Sequence, residues 1–287
     1  MNNNIPPPNS GCSVNLSDND NFLRPVNQRG VTSATGIMPL IDRWVNYNAT
    51  SVVRTNGIEI SATATEQGIF QILENPSLEG KAVTCACKYA DGTLICVSGI
   101  VPPVQAYNQR FATTSENKGK AVVPAVQLLA NTGYIQILLF SVCGGSDTIC
   151  WAALYEGEYT ADTLPPYVPR PYSVVLAECQ RYYYQSWDRS NLATLNGMVV
   201  REAITEARLG GNITLPVEMR VTPTITFYNS RNGEPGIWTE WIALTPVSVL
   251  AIYNNPKSFI VAAQGNSANK FAKGLHYYGH YCASAEF

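Results

Sequence analysis

The chain has 287 residues, of which 46% are hydrophobic and only 14% charged, with a formal net charge of −2. A near-neutral surface leaves no electrostatic footprint for nucleic acid or an anionic membrane, and no apolar run approaches the roughly 20 residues of a membrane-spanning helix. The length suits one large domain or two ordinary ones.

The opening "MNNNIPPPNSG" has neither a basic nor an apolar region, so it is read as an extended arm over residues 1–12 rather than a secretory leader. Strand signals then dominate. "TSVVRTNGIEISATA" (50–64) sets β-branched residues on either side of Asn56–Gly57, which predicts a hairpin turning on that pair. "KAVTCACKYADGTLICVSGIV" (81–101) repeats the device around Asp91–Gly92. "YIQILLFSV" (134–142) contains Gln136 and reads as a buried strand, and the stretch 134–159 predicts a further strand pair. "TLPPYVPRPY" (163–172) has four prolines, which end sheets by removing donors. "SVVLAECQRYY" follows with a helical period through Val175, Cys179 and Tyr182 and Ser173 as the expected N-cap. "LPVEMRVTPTITFYNSRNGEPGIWTEW" and "SVLAIYNNPKSFIVAAQG" return to strands. The fold class is therefore all-β: two jelly-roll or β-sandwich domains joined by a Pro-rich linker and a short helix. The expected spans are 13–165 for the first sandwich, 166–180 for linker and helix, and 181–287 for the second.

Eight cysteines are too sparse for a disulfide framework, and reduced, mostly buried thiols are expected. Cys85 and Cys87 share a strand face as small hydrophobes, and neither their spacing nor nearby Cys96 suits zinc. Cys143 and Cys150 would face each other only if Ser146–Asp147 made a two-residue hairpin loop; the reading is against a bridge. His276 and His280 share a strand face but lack further ligands, so both are read as structural. Glu156, Glu158 and Asp162 cluster in what reads as a solvated turn. No catalytic residue, cofactor or metal is expected, and the chain is read as not an enzyme.

Aromatics remain. In "AECQRYYYQSW" (177–187), packing where one module meets the next is favoured over a sugar-stacking platform. Trp238 and Trp241 follow a polar turn and, three apart on a strand, face opposite ways. They are the candidate glycan-binding residues, with Asn232 and Glu240 supplying hydrogen bonds. The competing reading packs both rings beneath the long loop.

"DNDNFLRPVNQRG" (18–30) followed by "LIDRW" (40–44) resembles the opening of a family of phage and prophage virion proteins of the carbohydrate-binding-module type. The residues that carry it are Asn27, Gln28 and Arg29, then Asp42, Arg43 and Trp44. Cys179, Gln180, Arg181, Tyr182 and Tyr183 match the family's "CQRYY" segment, "LPVEMRVTPTITFYN" (215–229) its second β-module, and "SAEF" its end. Read from chemistry alone, these are architectural residues: Asp42 and Arg43 beside Trp44 are expected to hold the first strand against the arm. The resemblance implies a non-enzymatic structural protein of a tailed-phage virion, made in the bacterial cytoplasm, serving as a tail or head appendage or fibre. It would be trimeric, attached to other virion proteins through the arm, and able to contact host-surface glycans. The alternatives are a purely architectural capsid-decoration or collar component, and a glycan-active depolymerase.

Overall fold

The computed structural model describes residues 14–74, 76–103, 110–112, 119–129, 134–141, 144–188, 191–265 and 270–287. The expected arm over residues 1–12, Cys12 and Cys143 lie outside them. The described chain is all-β, with two curled sheets and one helix. It divides into two compact units: Met1–Pro25 with Thr32–Arg170, and Val26–Val31 with Pro171–Phe287. The first module is thus not one continuous stretch, because residues 26–31 belong to the second unit.

The first unit carries β1 (Ser33–Ile41), β2 (Trp44–Arg54), β3 (Gly57–Ala62), β4 (Gln67–Glu74), β5 (Ala82–Tyr89), β6 (Leu94–Ile100), β7 (Arg110–Ala112), β8 (Val122–Leu128), β9 (Tyr134–Ser141) and β10 (Gly145–Glu156). The antiparallel order is β6-β5-β10-β3-β2-β4-β9-β8-β7, with β1 also on β2. β2 is the corner. Its residues 45–48 pair with β4 and its residues 50–54 with β3, and both Tyr47 and Asn48 oppose Gly68. That bulge, with Asn48 at φ 52, bends the strand locally where it passes from one partner to the other. Alternation supplies the core: Ile58, Ile60 and Ala62 are buried while Glu59 and Ser61 are less so. Cys85 and Cys87 are wholly buried small hydrophobes, and burial pushes the Cys87 thiol up to about 12.

Two turn expectations are corrected. Arg54 pairs with Gly57, so the β2–β3 turn is Thr55–Asn56. Gly57 stands at φ 135 as the first strand residue, where a Cβ would lie 2.2 Å from the Ile149 carbonyl oxygen. The β5–β6 loop has three residues, Ala90–Asp91–Gly92, closed by the Tyr89 N–H donating to Thr93 O at 2.9 Å, with Gly92 at φ 91. Ser146 and Asp147 lie within β10, which pairs with β3 and β5 and not with β9. The expected pair of adjacent strands over 134–159 is therefore two strands in different places of the sheet. Cys150 is a free thiol that donates to the Asn56 carbonyl at 3.4 Å. The proline stretch also packs: Tyr167 stacks on Trp151 at 4.4 Å, and Arg170 donates to Ser17 O at 2.9 Å.

The second unit carries α1 (Tyr172–Gln180), β11 (Tyr183–Gln185), β12 (Val199–Glu202), β13 (Ile213–Thr214), β14 (Thr224–Tyr228), β15 (Ile237–Glu240), β16 (Pro246–Ile252), β17 (Ser258–Ala263) and β18 (His276–Ser284). β18 is the spine. Its C-terminal half lies between β11 and β14, its N-terminal half between β12 and β15. Seven successive residues from Tyr277 to Ala283 are buried, so this strand is covered on both faces in place of alternating between core and solvent. The core is aromatic: Phe227 meets Trp238 edge-on at 5.7 Å, and Phe259 meets Tyr281 at 4.9 Å. In α1, Val175 and Cys179 are buried against Val26 as the period requires. The cap differs from expectation. Pro171 holds the N-cap position with no side-chain bond, which places Ser173 inside the first turn. Proline tolerates this end because the missing N–H has no intrahelical acceptor there.

Candidate functional site

The motif residues form two structural clusters. In the first unit, Arg43 Nε pairs with Asp18 Oδ2 at 3.1 Å, and its Nη2 donates to Ile72 O. The Trp44 indole N–H donates to Asp18 O and Asn19 O at 3.2 and 3.1 Å, and Phe22 packs edge-on against the ring at 5.2 Å. Asp42 takes part through its backbone, accepting from Asn19 Nδ2 at 2.7 Å. The arm that Asp42 and Arg43 were expected to hold lies outside the described residues; Arg43 pairs with Asp18 of the segment before β1, and Asp42 contributes its carbonyl.

The other motifs, far apart in sequence, converge in the second unit. Gln28 Nε2 donates to Tyr183 O at 2.8 Å, and Gln185 Nε2 returns a bond to Gln28 O at 2.7 Å. The Arg29 guanidinium lies 3.5 Å from the centre of the Tyr183 ring and pairs with Glu286 at 2.6 Å. Asn27 closes its own turn by bonding both the N–H and the carbonyl of Val31. Arg220, from the "EMR" run, donates to Ala285 O at 2.9 Å and sits 4.0 Å above the Phe287 ring. The Arg220 N–H donates to Arg181 O, and the Ala285 N–H to Tyr182 O. Tyr182 and Tyr183 are buried, and Trp187 packs on Tyr228 at 5.3 Å. The aromatics of 182–187 have these partners inside the second unit. Cys179 lies in the helix core, and Gln180 is the last helical residue.

The four glycan candidates are not assembled into a site. Trp238 is 0% exposed, and its indole N–H donates to His280 O at 3.1 Å. Glu240 is also buried, its carboxylate accepting from the N–H groups of Ile242 and Ala243. Both leave the candidate set, because the strand face they occupy is the core face. Trp241 is exposed, its ring edge-on to Tyr278 at 5.2 Å. Asn232 lies in the turn before β15, bonded to Glu234, while Trp241 follows that strand, so the two sit at its opposite ends.

The histidines differ from each other. His276 is exposed, whereas His280 is wholly buried. Its Nε2 lies 2.7 Å from Thr194 O and its Nδ1 3.1 Å from Ser186 Oγ. A carbonyl only accepts, so Nε2 carries the proton and the serine hydroxyl donates to Nδ1. Burial pushes the His280 pKa down. A serine beside a neutral imidazole has the elements of a nucleophile and base, but the ring is sealed from solvent. Glu156, Glu158 and Asp162 are exposed, and Glu156 pairs with Lys81 at 2.9 Å. Among the described residues, no group of three or more His, Cys, Asp or Glu side chains is placed to hold a metal ion.

The sequence reading missed one feature. The loop between β15 and β16 runs from Trp241 to Thr245, exposed throughout, and its first four residues, Trp241–Ile242–Ala243–Leu244, are all apolar. The signal was available, since four apolar residues occupy a position where a hairpin normally places polar ones. The chain matches no protein-family model, no curated protein and no solved structure.

Proposed function

We propose that this chain is a non-enzymatic structural component of a tailed-phage virion, an assembly module of its head or tail. The observation that carries the reading is the convergence of "VNQRG", "CQRYY", "EMR" and the terminal "AEF" on one fastening cluster. The residues that make the chain resemble virion proteins are thereby engaged in architecture. The arm over residues 1–12 attaches the protein to neighbouring virion proteins, and the assembled form is a homotrimer. Mass spectrometry and antibody labelling of intact particles test this: the protein should be present in stoichiometric amounts at one site, and its absence from purified particles ends the reading.

Host-glycan contact is the second reading, favoured by the exposed Trp241 ring alone. A sugar site needs amide or carboxylate groups beside the ring, whereas its loop neighbours are Ile242 and Leu244, so the architectural role leads. Trp241→Ala should leave adsorption to host cells unchanged under the architectural reading and abolish it under the glycan reading.

A further inference from the structure

An asparagine followed by glycine is a chemically labile pair. The glycine amide nitrogen, with no side chain to shield it, attacks the asparagine carboxamide carbon and closes a cyclic imide. The chain contains three such pairs, Asn56–Gly57, Asn196–Gly197 and Asn232–Gly233. Closure needs a glycine N–H that is unbonded and open to water, and a carboxamide free to turn onto it. The fold decides which pair meets both conditions.

Two of the pairs are protected. Gly57 is buried as the first residue of β3, opposite Arg54, where a Cβ would lie 2.2 Å from the Ile149 carbonyl oxygen. The Asn56 carbonyl also accepts from Cys150 Sγ at 3.4 Å, so the peptide group between Asn56 and Gly57 is held in place. In the turn before β15, the Gly233 N–H donates to Asn229 O at 2.8 Å, and Asn232 Oδ1 accepts from the Glu234 N–H at 3.0 Å. The remaining pair differs on every count. Asn196 and Gly197 are both exposed, and they are the two central residues of the turn that the Met198 N–H closes on Leu195 O at 3.4 Å. A turn of this kind offers its third residue no acceptor for its own N–H. Among the described residues, neither the Gly197 N–H nor the Asn196 carboxamide has a hydrogen-bond partner.

We propose that Asn196 is a self-modification site, at which the folded chain converts asparagine to aspartate and isoaspartate without an enzyme. The Gly197 nitrogen bonds to Asn196 Cγ, and Nδ2 leaves as ammonia, taking up the proton that the Gly197 amide gives up. Water then opens the imide, at the side-chain carbonyl to give aspartate or at the main-chain carbonyl to give isoaspartate. One water is consumed and one ammonia released, with no change of oxidation state. The isoaspartate product routes the main chain through Cγ and lengthens it by one carbon. The turn has little room for that shift, because a Cβ on Gly197 would stand 1.9 Å from Ser186 O. Two residues before Asn196, the Thr194 carbonyl accepts from the buried His280 Nε2 at 2.7 Å. Displacing the turn therefore strains the bond that ties it to β18. The site stands apart from the virion reading and does not depend on it.

The test is peptide mapping by mass spectrometry of the full chain during incubation in mildly alkaline buffer, which favours the attacking amide nitrogen. Asn196 should convert at least about fivefold faster than Asn232, whose glycine N–H must first break a hydrogen bond, and Asn56 should convert more slowly still. In urea the three rates should converge, because the ranking comes from the fold and not from the dipeptide. Incubated protein should melt below fresh protein, and Asn196→Gln, whose longer side chain closes the imide poorly, should hold its melting temperature. The urea comparison uses the unaltered chain, so the test survives a variant that fails to fold. The proposal is overturned if Asn56 or Asn232 converts as fast as Asn196 in the folded chain, or if Asn196 stays intact while the unfolded chain reacts. Incubated Asn196→Gln that loses as much melting temperature as the parent would overturn the link between the modified turn and β18.

Discussion

Gly279 lies on β18 directly against the Trp238 indole, where a Cβ would stand 2.2 Å from Cδ1 and 2.5 Å from Nε1. The ring cannot retreat, since it is wholly buried and bonded to His280 O. Gly279→Ala should therefore destabilise the second unit by about 1–3 kcal/mol, the cost of overpacking, read as a lower denaturant midpoint. His280 gives a pH signature. Its pKa is depressed by burial, so the fold favours the neutral ring and the unfolded chain binds more protons. The stability it contributes is complete above the ordinary imidazole pKa of about 6.5 and is lost as pH falls through the depressed value. The melting temperature should drop between neutral and mildly acidic pH, and His280→Gln should flatten that part of the profile. An unchanged profile in the variant would show that another group titrates. That one of Trp238 and Trp241 stays outside was legible in the sequence, although Trp241 lies in the loop after β15 and not on the strand. Which ring went inside was not, because spacing sets relative facing and the sheet packed against the strand decides burial.

At the level of elements, the first two hairpins were legible as hairpins, the first misplaced by one residue and the second one residue longer in its loop, whereas the strands over 134–159 do not pair with each other. Asn56–Gly57 has the composition of a two-residue loop, yet Gly57 is taken into β3 because its backbone passes against the Ile149 carbonyl of β10, which only a glycine allows. Gly57→Ala should destabilise the first unit by about 1–3 kcal/mol, far more than Asn56→Ala, by chemical denaturation. The helix start was misjudged in a similar way. Ser173 has cap chemistry, but Pro171 already ends the extended segment and sets the first turn. Ser173→Ala should leave stability unchanged or raise it by a few tenths of a kcal/mol through helix propensity, whereas loss of a working cap would cost about 1 kcal/mol. A loss of that size on urea titration would restore Ser173 as the cap.

For the whole molecule, the decisive feature is that residues 26–31 belong to the second unit. Gln28 bonds Tyr183, and Arg29 stacks on Tyr183 and pairs with Glu286. A fragment comprising residues 171–287 should melt well below the second unit of the full chain, because the Tyr183 carbonyl and the Glu286 carboxylate lose these partners. A synthetic peptide spanning residues 24–33 should bind that fragment and raise its melting temperature, and Arg29→Ala in the peptide should remove most of the gain. A fragment that melts like the intact unit, indifferent to the peptide, would show that the segment contributes little.

Composition, turn residues and strand alternation by themselves determined that this is a low-charge, all-β chain of two modules with prolines at the division and one short helix. These are local properties, set by backbone preference and by the period with which side chains meet a core. The tertiary structure alone decided which strands are neighbours, since β9 and β10 are adjacent in sequence and separate in the sheet. It alone joined "VNQRG" to "CQRYY" and "AEF", contacts that span up to 257 positions. It alone buried Trp238 and Glu240, leaving an apolar loop projecting where a sugar site had been expected. Such outcomes depend on which distant surface covers a residue, and a period of two along one strand carries no record of what lies across from it.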